Sequence, residues 1–208
     1  MAEDKRWFDV NPSWDLFLKN FKPKKILEIG CFSGQTTCNL IEKLAPEGNF
    51  EIYCVDPWED YDEPNGSDMK SIENQFDKNT IASAKKVRDL GVDLTVIKFK
   101  AHSWAALPDL LAQGKRNYFD FVYIDGSHKA ADVLFDAVFS FELTKLGGVI
   151  IFDDYIWSEV FIADDGLPWN NLSRSPKIAI DGFTSAYFDK LKLINSTTSQ
   201  LCAQKVAY

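Results

Sequence analysis

The chain has 208 residues, 46% of them apolar and 26% charged, with a net charge of −8, the balance of a globular domain able to bury a full core. The acidic balance speaks against nucleic acid as a partner, since a phosphate backbone needs a basic footprint. No stretch has the length of a bilayer span, and the start, MAEDKRWFDV, lacks the apolar core of a signal peptide.

Residues 1–22 read as a helical or lid segment, with a helix near 12–20 and the aromatics Trp7, Phe8, Trp14 and Phe17. They precede a single core, 23–208. Strands are expected near 25–29, 51–56, 93–99, 119–125 and 148–153, separated by helices near 34–45, 68–90, 103–112 and 128–144. This alternation predicts an α/β fold with a parallel sheet covered on both faces. Gly147-Gly148 is expected to stop the fourth of these helices. A helix near 176–187 is followed by two β-rich runs, 189–196 and 200–207, joined by a polar turn, so a hairpin closes the sheet. The loops 59–70 and 155–176 follow strand ends and read as pocket walls or lids. Cys31, Cys38, Cys54 and Cys202 show no CxxC pair and no metal-ligand spacing, which suits reduced thiols in a cytoplasmic protein.

The most informative segment is Ile26 to Thr37, ILEIGCFSGQTT. A strand ends on Glu28 and Ile29, a turn runs from Gly30 to Gly34, and a helix follows. Ligands of open α/β sheets bind at such carboxyl ends. Three residues between the glycines exclude both the dinucleotide fingerprint and the phosphate loop. The pattern E-x-G-x-x-x-G resembles the first motif of class I S-adenosylmethionine-dependent methyltransferases. The resemblance implies a Rossmann-like three-layer sandwich, a seven-stranded, mainly parallel sheet with a C-terminal antiparallel hairpin, and S-adenosyl-L-methionine as cofactor. It assigns cofactor contacts to Glu28, Gly30, Cys31, Phe32, Ser33 and Gly34, with the Thr36 hydroxyl at the helix start toward the carboxylate. Asp56 is expected on the ribose hydroxyls, with Pro57 and Trp58 flanking the adenosine. His102 and Ser103 fall where such enzymes bind adenine, although Ser103 is equally a good helix N-cap.

A second signal is YIDGSHKAADVLFDAVFSFELTKLGGVIIFDDYIW, 123–157. Asp125 ends one strand and Asp153-Asp154 end the next, so three carboxylates share one sheet edge. Like charges repel there unless a cation intervenes, and oxygen donors suit Mg²⁺. Acid-x-x-Lys or His on one strand end with Asp-Asp on the next resembles the metal-dependent O-methyltransferases. These are the catechol and caffeoyl-CoA types and especially the macrocin and cephalosporin-hydroxylase-like branch, over residues 24 to the C-terminus. The resemblance implies Asp125, Asp153 and Asp154 as Mg²⁺ ligands, Asp125 also near the cofactor, and His128 as general base. A helix N-terminus would keep that imidazole neutral. The expected reaction is methyl transfer to a hydroxyl of a small-molecule acceptor, without nucleic acid or membrane partners. The exposed aromatics of the first segment would suit a homodimer. A non-catalytic S-adenosylmethionine-binding protein and a hydroxylase or oxidoreductase on the same fold are the alternatives.

Overall fold

Runs with almost no polar residue form the centre of the sheet, because strands covered on both faces have no side left for water. The structure, a computed structural model, describes residues 18–59, 68–162, 168–196 and 199–208. In chain order it contains β1 (Lys25–Ile29), α1 (Gln35–Leu44), β2 (Phe50–Asp56), α2 (Met69–Asp89), β3 (Leu94–Lys100) and α3 (Ser103–Ala112). β4 (Phe119–Ile124), α4 (Ala130–Leu143), β5 (Thr144–Phe152), β6 (Val160–Ile162) and β7 (Pro168–Asn170) follow. α5 (Pro176–Ala186), β8 (Leu191–Ser196) and β9 (Leu201–Lys205) complete the chain. The seven-stranded sheet has the order β3-β2-β1-β4-β5-β9-β8. Its first five strands are parallel, while β9 runs antiparallel to both β5 and β8. The expected sheet and closing hairpin are both present.

Two apolar clusters sandwich the sheet. Leu40, Ile41 and Leu44 of α1 and Phe76, Ala84 and Val87 of α2 pack with Ile26, Ile52, Phe121 and Ile151 on one face. On the other, Leu107 of α3, Val133 and Phe141 of α4 and Ile180 and Phe183 of α5 pack with Leu27, Val55, Val122 and Phe152. Opposite faces alternate along each strand, as the two-residue period requires.

Register fixes the site. Ile29 pairs with both Val55 and Ile124, and Ile124 pairs with Phe152. The next residues, Gly30, Asp56, Asp125 and Asp153, therefore reach the carboxyl edge of the sheet at one level. The winding reverses between β1 and β4, the crevice where open α/β sheets bind ligands.

Two expectations change. The glycine pair 147–148 does not end α4: the helix stops at Leu143, and Thr144 is already extended, its hydroxyl donating to Ser140 O at 2.6 Å. The glycines lie inside β5, where its register with β4 shifts. The loop 155–176 contains structure of its own, since β6 and β7 form a small antiparallel hairpin. Of the N-terminal helix only residues 18–21 are described, with Leu18 buried on the α1–α2 side. Trp7, Phe8, Trp14, Phe17 and most of the acidic loop 59–70 lie outside the described residues.

Candidate active site

The turn after β1 is built on left-handed backbone: Gly30 (φ +86°), Phe32 (φ +45°) and Gly34 (φ +80°). Both glycines are also sterically required. A Cβ on Gly30 would stand 1.9 Å from Asp125 O, and one on Gly34 would stand 2.8 Å from the Phe76 ring. Gly30 thus lets the β1 turn touch the end of β4, and Asp125 N donates to Ile29 O at 2.8 Å across the same seam. Gly34 lets α2 close on the start of α1. The N-cap of α1 is Gly34 itself, with no side-chain cap, so no cap side chain satisfies its first-turn amides.

Asp56 braces this turn. Its Oδ2 accepts from the amides of Cys31 (2.8 Å) and Phe32 (2.9 Å), and its Oδ1 from that of Trp58 (2.7 Å). Burial pushes the Asp56 carboxyl above its usual range, while the three amide bonds pull it back. Trp58 is 3% exposed, its ring tilted against Phe76 with centroids 4.8 Å apart and its Nε1 donating to Phe32 O at 2.8 Å. The indole expected beside adenosine is therefore spent on core packing, and Pro57 keeps the partly exposed surface.

Glu28 is fully buried and accepts from Thr37 Oγ1 at 2.6 Å, so the start of α1 also holds the motif acid. Burial pushes the Glu28 carboxyl up to about 8. Thr36 is half-buried in the first turn of α1, Ser33 is buried, and Phe32 is exposed. After β3, His102 is the extended N-cap of α3 and stacks on Trp104 at 5.2 Å. Ser103 is the first helical residue instead of the cap, and its hydroxyl meets Asp136 of α4, whose carboxyl burial raises to about 7.

The carboxylates of β4 and β5 do converge. Asp125, Asp153 and Asp154, with His128, line a niche of about 10 Å³ walled by Val133 and Phe152. That volume matches about one water molecule. Asp125 is exposed at the sheet edge, with protein atoms crowded around its carboxyl. Desolvation by those atoms holds the carboxyl above its usual range, and the charges of Asp153, Asp154 and Glu28 add to it. Asp153 is raised as well, chiefly by burial. His128 Nε2 lies 2.9 Å from Asp154 Oδ2, and its ring stacks on Trp157 at 4.0 Å. Asp154 holds left-handed backbone (φ +53°), which a short polar side chain tolerates.

Sequence reasoning missed three members of this group. The Tyr123 hydroxyl donates to Asp153 Oδ2 and lies 3.3 Å from Asp125 Oδ2, bridging the two acids. Gln200 Nε2, from the approach to β9, donates to Asp153 Oδ2 at 3.1 Å. Trp157 covers His128. Tyr123 was findable: two residues before Asp125 on one strand, it shares that residue's side of the sheet. Gln200 carries no such signal, since only folding of the hairpin brings it there.

A family model described as a methyltransferase domain matches residues 27–155, more than half of the chain and both motifs. The chain belongs to this methyltransferase family. A caffeoyl-CoA O-methyltransferase of Stellaria longipes is 26% identical over 141 residues, which are 67% of this chain and 49% of that protein. The chain spans about half the length of the curated relatives it matches. Among solved structures, the O-methyltransferase of Bacillus cereus in complex with SAH aligns with a TM-score of 0.59 and 17% identity, over 96% of this chain and 83% of that one. The O-methyltransferase TomG of Streptomyces achromogenes, in complex with SAM, gives a TM-score of 0.58 and 16% identity, over 93% and 78% of the two chains. At that identity the two structures support the fold, which for this methyltransferase is the Rossmann-like sheet described above. Among the described residues, no helix is long and apolar enough to cross a membrane.

Proposed function

We propose that this methyltransferase transfers a methyl group from S-adenosylmethionine to a hydroxyl of a small molecule. The observation that carries the reading is the contact between Gly30 and the Asp125 backbone, which gives the donor turn and the carboxylate niche one shared wall. A donor held at the turn and an acceptor held at the niche are then neighbours, and in-line transfer is mainly a matter of holding two reactants in position.

The turn suits the donor. The uncapped first-turn amides of α1 meet its amino-acid carboxylate, Asp56 fixes the turn and offers a remaining Oδ1 lone pair toward the ribose, and Gly126 with Asp125 lies beneath. Three carboxylates around a small niche, with the negative charges of Asp153 and Asp154 crowding Asp125, suit a hard divalent ion. Asp125, Asp153 and Asp154 are the residues that would hold Mg²⁺, whose chemistry when bound is to favour the ionised form of an acceptor hydroxyl. Tyr123 and Gln200 aim Asp153, and Asp154 orients His128. His128 takes the acceptor's proton at the ring nitrogen that is not hydrogen bonded to Asp154, while Trp157 limits water on the opposite ring face. A niche this small has room for one ion, so the acceptor and its reacting hydroxyl lie at its mouth.

The test is transfer of labelled methyl from S-adenosylmethionine to a panel of catechols, phenols and sugars, with Mg²⁺ or with EDTA. Transfer to one acceptor class that EDTA abolishes and Mg²⁺ restores supports the reading. Donor binding with no transfer to any class leaves a binding protein in its place.

A further inference from the structure

Beneath the donor turn, on its core side, lies a second group of donors of different chemistry. The Glu28 carboxylate and the Cys31 and Cys54 sulfurs each offer a ligand atom, all within 4.8 Å of one another. Among the described residues this is the one group of three His, Cys, Asp or Glu side chains whose ligand atoms all come that close; the carboxylates of Asp125, Asp153 and Asp154 share a niche without meeting that distance. Chain spacing hid it, because the donors come from two strands and a turn. Glu28 and Cys54 are register partners on β1 and β2, and the turn folds Cys31 back so that its Sγ lies 3.8 Å from Glu28 O.

An independent observation points to a ligand here. Thr37 occupies Glu28 Oε2, but Oε1 is fully buried and has no hydrogen-bond partner among the described residues. An unsatisfied buried acceptor is costly, so the position favours a group that satisfies it. Cys31 Sγ donates toward Val55 O at 3.7 Å and Glu28 O at 3.8 Å, the Cys31 and Cys54 thiols hydrogen bond to each other, and the Thr37 hydroxyl also reaches Cys54.

We propose that Glu28, Cys31 and Cys54 form a binding site for a single thiophilic divalent ion of the zinc class. Two thiolates and one carboxylate suit tetrahedral zinc-type coordination, with one position left for a water. Both thiol protons, and below about pH 8 the Glu28 carboxyl proton as well, leave to solvent as the ion binds. The oxygen-only set Asp125, Asp153 and Asp154 selects hard ions, so the two sites sort metals by softness. The ion ties the turn to β2, the same connection that Asp56 makes through the Cys31 and Phe32 amides. Opening of the glycine-flanked turn, with Phe32 exposed at its tip, is the entry path. The proposal is independent of the methyl-transfer reading and stands or falls without it.

The test is titration of the reduced full chain with Cd²⁺ in excess Mg²⁺, followed by the sulfur-to-cadmium absorption in the ultraviolet. The expected result is a band saturating at one ion per chain and undiminished by Mg²⁺. Cys31→Ser and Cys54→Ser lose the band and Cys202→Ser keeps it, with circular dichroism confirming each fold. ¹¹³Cd NMR of the unaltered chain, which reads the number of sulfur donors directly, decides the matter should a serine variant not fold. A resonance in the two-sulfur range supports the site. No band in the unaltered chain, a full band in folded Cys54→Ser, or an oxygen-only cadmium shift overturns it.

Discussion

Removing the Asp56 carboxylate tests the brace on which the donor turn depends. Three backbone amides, from Cys31, Phe32 and Trp58, end on that one side chain at 2.7–2.9 Å, and Asp56 is 8% exposed. In Asp56→Ala each donor loses its acceptor, at about 1–3 kcal/mol per buried group. Relaxation and water entry at the turn recover part of that total of about 3–9 kcal/mol, leaving roughly 2–6 kcal/mol, a large share of a typical domain's stability. Asp56→Asn is milder. Its single oxygen serves Cys31 and Phe32, while its NH₂ faces the Trp58 amide, so one bond is lost at about 1–2 kcal/mol. Equilibrium urea unfolding should therefore rank the proteins native, Asn, Ala, with slopes unchanged. An Asp56→Ala protein within about 0.5 kcal/mol of the native one would refute the brace, since a surface carboxylate behaves that way.

Glu28, with its carboxyl pushed up to about 8, makes a pH prediction. Between the ordinary Glu value and about 8, the folded chain keeps a proton that the unfolded chain has lost. Stability therefore falls as pH rises, by up to about 1.4 kcal/mol per unit for this one group. Glu28→Gln should remove that slope and gain relative stability from pH 5 to 8 in urea unfolding. An unchanged slope would place the charge elsewhere. Gly30→Ala forces a Cβ into Asp125 O and a left-handed alanine. A loss of about 3 kcal/mol or more and failure to bind S-adenosylhomocysteine are expected; thermal melting and calorimetry read them. His128→Ala should lower kcat by about 10²–10⁴-fold and flatten the pH–rate profile while donor affinity holds. A parallel loss of donor affinity would make the residue structural.

The sheet was legible because its signals are local. FDFVYI and VIIF announce buried strands, the polar turn before Leu201 announces the hairpin, and the turn from Gly30 to Gly34 announces the crevice. The convergence of Asp125, Asp153 and Asp154 was legible for a related reason: adjacent parallel strands in register end at one level. What stayed hidden depends on distances across strands. Periodicity gives the side of a sheet that Asp56 faces, not whether its oxygens meet a ligand or the Cys31 and Phe32 amides. The same holds for Trp58, which reads as a pocket wall in sequence but finds Phe76 of α2 in space. The glycine pair in β5 misled because glycine marks a helix end and a strand irregularity alike.

Calorimetric titration of S-adenosylhomocysteine into the unaltered chain tests the central claim most directly, because the donor turn underlies every role assigned above. The account predicts saturable binding at one molecule per chain, with a ligand-dependent rise in melting temperature. No binding heat together with an unmoved melting temperature at millimolar ligand would contradict it.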